Sequence, residues 1–349
     1  MNVTHIVRRY GMVGGMESYV WHLTHALANQ GVSVRVICES VIDKPVGDIS
    51  VELVASPVRQ RPRWEAMLHF VREVNSRIQK GNLGVIHSHE RCGCHHVTTF
   101  HGPPMGDLLK SGPWLKRIQK RVKVWAQLER SELFSPTVQA VIPVSTRSAS
   151  SLTDIYPAVA DKLTRPGWPG LIPDALKPNE CRGPRILFVG REWKRKGLDI
   201  ALRTFIEVKK KIPDATLDVY GHRASSLSWP TKKYSKGVIF HGWSDNVPYH
   251  QYSVLIHPAR SEPFGMVIPE ARAAGVIVLT SNQVGAIDLP LTDVIVLDID
   301  ARLQDWVGAL CSALDGKSAD PQISWTWSDL AAWHSAEVYR PLIDRSISA

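Results

Sequence analysis

The chain has 349 residues, 44% of them apolar and 21% charged, so at roughly 150 residues per domain it holds material for two hydrophobic cores. No run approaches the ~18 uninterrupted apolar residues of a membrane span, and five irregularly spaced cysteines fit a reducing cytoplasm better than a disulfide framework. Forty-two Lys and Arg against 33 Asp and Glu leave a net charge of +9, which favours anionic partners: phosphorylated substrates, anionic lipid or nucleic acid.

Val3–Arg8 reads as a strand, not as the apolar core of a secretory signal. Gly11, Gly14 and Gly15 make a flexible turn, and Met16–Asn29 then carries Val20, Leu23 and Leu27 at helical spacing, with Trp21 extending the stripe. Gly31 is a helix stop, and Val32, Val34 and Val36 alternate as the next strand. This is a β-α-β unit, the seed of a parallel sheet. Leu83–His87 and Ala140–Val144 read as further buried strands, and the proline- and glycine-rich stretch from about Tyr156 to Pro184 reads as a connection. The pattern then restarts: strand Arg185–Gly190, helix Ile200–Lys211, and strands Thr216–Tyr220, Gly237–His241 and Val254–His257. The expected class is α/β, two doubly wound domains over 1–165 and 185–325 with a linker at 166–184. A last helix over Ser328–Ile343 puts Leu330, Ala331, His334, Val338 and Leu342 on one face.

Three places carry groups with chemical use. Gly14-Gly15 precedes a helix, whose first N–H groups are unsatisfied and partly positive, so a phosphate can approach there; a plain strand–helix turn is the alternative. Arg191 and Lys196 follow the strand ending at Gly190, and in doubly wound domains ligands bind at the carboxyl ends of strands. An Arg fork and a Lys point charge suit a diphosphate, whereas Lys194 and Arg195 between them read as surface charges. Finally, Glu262 sits in a loop beside Gly265, with Glu270 eight positions on in the next helix; each carboxylate can accept two hydrogen bonds from a vicinal diol.

Gly14-Gly15-Met-Glu17, Gly190-Arg191 with Lys196-Gly197, and Glu262 with Phe264-Gly265 and Glu270 together resemble the retaining family 4 glycosyltransferases, of bacterial cell-surface glycan or lipopolysaccharide type. The resemblance spans nearly the whole chain in order and includes a tail, Ser324-Trp-Thr-Trp327, before a helix bearing Tyr339-Arg340. It implies the GT-B fold, two Rossmann-like domains facing a central cleft, with residues 326–349 crossing back to the N-terminal domain. It also implies that the N-terminal domain binds the acceptor and the C-terminal domain the nucleoside-diphosphate sugar. Glu262 would hold donor-sugar hydroxyls and Glu270 the ribose. Arg191 and Lys196 would hold the diphosphate, helped by N–H groups around Phe264, Gly265, Met266 and Gly15, and His101 resembles the family's active-site histidine. UDP-hexose is the default donor by family frequency. Departures are Ala271-Arg-Ala-Ala-Gly275 after the second glutamate, Val284-Gly285 for a glycine pair, and Gly167-Trp-Pro-Gly170 for an Asn-Gly linker turn.

No Asp-x-Asp metal motif stands out beside the phosphate-binding residues, and retention without a nucleophile fits front-face attack, so no metal or cofactor is expected beyond the donor substrate. His87, His89, Cys92, Cys94, His95, His96 and His101 include enough soft ligands for zinc, but their spacing fits no closed template. Lys110–Arg130 holds seven basic residues and one acid, Glu129, interleaved with apolar residues on one helical face. Trp114, Lys116, Arg117, Lys120, Arg121, Lys123 and Trp125 thus form a candidate anionic-membrane patch, which Arg59, Arg61, Arg63 and Trp64 extend. A core-packed helix with a solvated basic back is the alternative. A dinucleotide-binding protein would share the α/β plan, but no Gly-x-Gly-x-x-Gly follows the first strand, and no nucleic-acid-binding module is visible.

Overall fold

The computed structural model describes residues 1–56, 62–79, 81, 83–106, 119–171, 179–221, 236–244, 246–315, 320–323 and 325–348. They form two compact units, Met1–Gly170 together with Trp325–Ala349, and Leu171–Ser324.

The first unit contains β1 (Asn2–Ile6), β2 (Arg9–Tyr10), β3 (Ser33–Cys38), β4 (Ser40–Val41), β5 (Ile49–Leu53), β6 (Val85–Ser88), β7 (Val97–Phe100) and β8 (Ala140–Pro143). Six make one parallel sheet in the order β5-β3-β1-β6-β7-β8, while β2 and β4 pair separately. β1 is central, Val3 lying opposite Val34 on one side and Val85 on the other. A parallel strand covered on both faces is buried throughout, which is why Thr4 and His5 go inside with Val3 and Ile6. Helix α1 (Gly15–Asn29) buries Tyr19, Val20, Leu23 and Leu27, and α2 (Arg63–Ile78) buries Met67, Phe70 and Val74. Each such apolar side chain taken fully out of water contributes about 1.5–3 kcal/mol.

The second unit contains β9 (Arg185–Val189), β10 (Thr216–Tyr220), β11 (Val238–Gly242), β12 (Val254–His257), β13 (Ile277–Ser281) and β14 (Val294–Leu297), in the order β11-β10-β9-β12-β13-β14. One face is covered by the helices Leu198–Lys211 and Leu303–Asp315, whose Leu202, Phe205, Trp306 and Leu310 meet Phe188, Val219 and Ile256 of the sheet. Both sheets therefore have the same strand order. It reverses beside the first strand of each unit, between β1 and β6 and between β9 and β12, and ligand crevices of such sheets open at that point.

The tail returns to the first unit. Thr326 and Asp329 form a capping box at the start of helix Trp327–Trp333, which packs on α1, and Gln30 Nε2 donates to the Ser328 carbonyl at 2.9 Å. The expected single helix is interrupted: His334–Tyr339 is a π-helical turn before Arg340–Ser348. Bonds from i to i+5 place Tyr339 on the same buried face as His334. The stretch read as linker from Tyr156 is partly built into the first core. Pro157–Lys162 is a 3₁₀ turn that buries Val159, and Leu163 bridges to Val141 of β8. In the basic segment the described helix runs from Lys120 to Phe134; residues 107–118, with Lys110, Trp114, Lys116 and Arg117, lie outside the described residues, as do Arg59 and Arg61.

Gly197 joins the short helix Trp193–Lys196 to Leu198–Lys211 in a left-handed conformation, φ +76°, and a Cβ there would overlap the Pro258 carbonyl oxygen. The conformation alone costs a non-glycine residue about 1–3 kcal/mol. Gly197→Ala is therefore expected to lower the urea midpoint of the second unit's unfolding, and an unchanged midpoint would refute this account of the turn.

Candidate active site

In the second unit the residues singled out from sequence gather at the switch point. β9 delivers Gly190, Arg191 and the short helix with Lys196, while β12 ends at His257 and leads to Glu262. Glu262 is fastened at its backbone: its N–H donates to the Gln283 carbonyl and its own carbonyl accepts from Gly285 N–H, both at 3.0 Å. Gly265, φ +97°, lets the loop press on it, since a Cβ there would come within 3.1 Å of Glu262 Cγ and 2.9 Å of Val284.

The Glu262 side chain is only 10% exposed, and its Oε2 accepts from both Lys196 Nζ and Arg195 Nη1, the latter at 3.0 Å. A carboxylate so far from water needs such partners. Gly190 makes room for one of them, because a Cβ there would lie 2.9 Å from Lys196 Cγ. Arg195 was read as a surface charge, and the structure corrects that reading: it also donates to the Ser261 carbonyl at 2.6 Å and to Glu192, binding the two loops together. Lys194 is exposed as expected. Beneath the cluster His257 is fully buried, and burial, with the Lys196 and Arg195 charges, holds its imidazole well below the usual range and so neutral.

Arg191 lies apart from this cluster, exposed, its guanidinium 4.5 Å over the Trp243 ring. Glu270 accepts from Tyr249 OH at 2.5 Å; burial raises its carboxyl, against the lowering pull of Tyr249 and Lys196. Tyr249 gave no sequence signal, since it sits in a three-residue 3₁₀ turn without periodicity. Phe264 is buried, its carbonyl accepting from Ala286 N–H at 2.8 Å, and Gly265 and Met266 lead into helix Val267–Ala273.

In the first unit Gly14 precedes α1 with extended backbone and Gly15 begins the helix, exposed and with open space where a Cβ would be. The Glu17 carboxylate folds back beneath Gly14 and accepts from Arg9. His101, just past β7, is stacked edge-on against Tyr19 at 4.9 Å, and its Nε2 meets His89 Nδ1 at 3.1 Å. Burial pushes the His101 imidazole down to about 3. His89 in turn meets His5 at 3.1 Å, and His87 bonds Tyr339 OH at 2.7 Å and Thr99 at 2.8 Å. Among the described residues only His5, His87 and His89 bring three metal-ligand atoms within 4.8 Å of one another. Both His87 nitrogens and the facing His5 and His89 nitrogens have hydrogen-bond partners, so the cluster forms a neutral imidazole network.

The membrane-patch residues divide. Lys120, Arg121 and Lys123 are exposed, as is Arg63, and Lys120 Nζ stands 5.2 Å over the Trp64 ring. Trp125 instead packs with Val124 and Leu128 on the core, under the Arg91 guanidinium at 5.2 Å. The lone acid Glu129 is buried and accepts from Arg91 at 3.0 Å, Tyr156 OH at 2.8 Å and Met105 N–H at 2.8 Å, which ties this helix to the loop after His101.

Two Rossmann-like sheets of identical order, one with a carboxylate–cation cluster at its switch point, define a doubly wound α/β protein of two units, and comparison with known proteins gives the family. Residues 13–165 match the family model "Glycosyltransferase Family 4" and residues 183–314 match "Glycosyl transferases group 1". The chain belongs to the family 4 glycosyltransferases, enzymes of GT-B fold. It is 27% identical to a glycogen synthase of Mycobacterium tuberculosis (strain CDC 1551 / Oshkosh), over 78% of this chain and 75% of the relative. It is 25% identical to the D-inositol 3-phosphate glycosyltransferase of Paenarthrobacter aurescens (strain TC1), over 93% of this chain and 89% of the relative. The crystal structure of WaaG, a glycosyltransferase involved in lipopolysaccharide biosynthesis, superposes with a TM-score of 0.77 at 18% identity, covering 99% of this chain and 98% of that one.

Proposed function

We propose that the protein is a retaining, metal-independent glycosyltransferase that moves a sugar from a nucleoside-diphosphate sugar, UDP-hexose by default, to a cell-surface glycan or lipid-linked acceptor. The observation that carries this is the Arg195–Glu262–Lys196 cluster: a buried carboxylate to bind hydroxyls, held beside a cation able to bind phosphate. Donor-binding roles fall to Glu262, Glu270, Lys196, Arg191, Phe264, Gly265 and Met266 in the second unit and to Gly14 and Gly15 in the first, and the acceptor side takes in His101.

Glycosyl transfer breaks the bond between the anomeric carbon and the diphosphate oxygen, leaving negative charge on the phosphate. Lys196 has three N–H donors, so it can serve a phosphate oxygen while still holding Glu262. Arg191, exposed beside the cluster, and backbone N–H groups around Phe264, Gly265 and Met266 would add to the stabilisation where that charge develops. In front-face attack the acceptor oxygen bonds the anomeric carbon on the side the phosphate leaves, and the departing phosphate oxygen takes the acceptor's proton. Configuration is then retained without a covalent enzyme intermediate. Glu262→Ala, Lys196→Ala and Arg191→Ala are each expected to cut turnover at least ~10²-fold with the fold intact, the scale for one oriented charge stabiliser. Near-normal rates in all three would refute the donor site, and an inverted product by NMR would refute retention.

The donor base is to be read from a thermal-shift screen of UDP, GDP and ADP with their sugars. A larger shift with UDP and UDP-sugars is expected, and equal shifts for all would refute a base-selective site.

The acceptor proposal rests on the superposition with WaaG and on charge. Among the described residues no helix is long and apolar enough to cross a membrane. Arg63, Lys120, Arg121 and Lys123 nevertheless present exposed positive charge from two neighbouring helices, and each Lys or Arg near an anionic surface contributes about 1 kcal/mol. Peripheral attachment to the cytoplasmic face would bring lipid-linked acceptors to the first unit, and nucleic acid is not an expected partner. Flotation with vesicles containing anionic lipid should show binding that weakens with salt and on replacing Lys120, Arg121 and Lys123 by Gln. Absence of binding at low salt would leave a soluble acceptor, such as the phosphorylated inositol in the relative's name.

A further inference from the structure

The imidazoles of His5, His89 and His101 form one line of hydrogen bonds running inward from β7's end to the middle of β1. His101 Nε2 meets His89 Nδ1, and His89 Nε2 meets His5 Nδ1, each at 3.1 Å. The outer nitrogen, His101 Nδ1, makes no hydrogen bond among the described residues, and the innermost, His5 Nε2, is buried without a partner. Burial keeps all three rings neutral: it takes His5 and His101 down to about 3 and holds His89 well below its usual range, with the neighbouring imidazoles adding to the effect on His89.

A neutral imidazole has one N–H and one lone pair, so two linked rings must run in the same sense. Three linked rings have two self-consistent states. In one, every proton is on Nδ1: His5 donates to His89, His89 donates to His101, and His101 is left with an outward N–H. In the other, every proton is on Nε2, the sense reverses, and His5 is left with a bare N–H in the core. The first state strands only a lone pair at His5, and buried N–H groups without an acceptor are the rarer of the two defects in folded proteins.

We propose that His5 and His89 are positioning residues that hold His101 as its Nδ1–H tautomer, making it a hydrogen-bond donor to a substrate oxygen. This rests on the reading that His101 touches substrate. An outward N–H recognises a phosphate, ring or hydroxyl oxygen, whereas the reverse tautomer would offer a lone pair and require a hydroxyl proton. His5 acts from two rings away, without touching the ligand.

The test uses the full-length protein labelled with ring-¹⁵N histidine and long-range ¹H–¹⁵N correlation spectra at neutral pH, with His101 assigned from the spectrum of His101→Gln. His101, His89 and His5 are expected to be protonated at Nδ1, and an Nε2-protonated His101 in the wild-type protein would overturn the proposal. His5→Leu removes the inner donor and should let His101 sample both tautomers, with turnover falling about tenfold. His5→Asn sets an amide N–H where Nδ1 stood and should restore both the single tautomer and the rate. An unchanged His101 tautomer in folded His5→Leu would overturn the positioning role. If His101→Ala leaves turnover intact, the substrate role of His101 falls, and the tautomer measurement on the wild-type protein still decides whether the relay exists.

Discussion

A carboxylate that is only 10% exposed must have its charge met by protein, and at Glu262 that requirement shapes the whole ligand end of the second unit. Lys196 can reach it because residue 190 is glycine, and the short helix can turn there because residue 197 is glycine against Pro258. Arg195 reaches it while also gripping the Ser261 carbonyl, and Arg260 braces the same turn through the Lys194 carbonyl at 2.7 Å and Asp199. Each contact alone would be a modest surface interaction. Together they hold two loops from β9 and β12 at fixed spacing, as the proposed phosphate site requires: donors already aimed before charge develops.

The first unit solves the opposite problem. Its central strands β1 and β6 are buried, so His5, His87 and His89 enter the core with polar atoms to satisfy, and among the described residues their hydrogen bonds go to imidazoles and hydroxyls. Neutral imidazoles meet that demand by bonding one another and by using Tyr339 and Thr99. The π turn at His334–Tyr339 supplies the tyrosine; a regular α-helix would rotate residue 339 off the face that carries His334. One half of the proposed chemistry is thus built from paired charges and the other from neutral rings whose proton positions are linked.

How much of this was legible depended on whether the signal was local. Strands and helices with strong apolar periodicity, such as Val32–Val36 and Ile200–Lys211, stand within a few residues of their positions in the structure. The helix Thr146–Ile155 did not show, because Thr-Arg-Ser-Ala-Ser-Ser carries no stripe; the Ser145 cap and one buried leucine, Leu152, hold it. β5 and β7 do carry a local signal, the alternation of Ile49, Val51 and Leu53 and the β-branched run Val97-Thr-Thr99, but over only four or five residues. Glycine turns and both glutamates were readable as loop grammar. Arg195 was not, because Lys194-Arg195-Lys196 looks uniformly basic and only the fold decides which of three cations turns inward. Tyr249 escaped for the same reason, and Tyr339 was named only for its place in the tail: each acts through a partner remote in sequence, Glu270 in one case and His87 in the other.

Glu129 shows what such remoteness can do. In sequence it is the single acid in a basic segment, easily taken for a surface counter-charge. In the fold it is the anchor point of the segment, fully buried and accepting from Arg91, Tyr156 and the Met105 backbone. Burial raises its carboxyl while the Arg91 charge, first among several opposing contacts, pulls it down, so the anchor is strong only while the pair is intact. The exposed Lys120, Arg121 and Lys123 are carried on the same helix, one to three turns away. Glu129 therefore ties the helix that carries this basic end to the loop that follows His101.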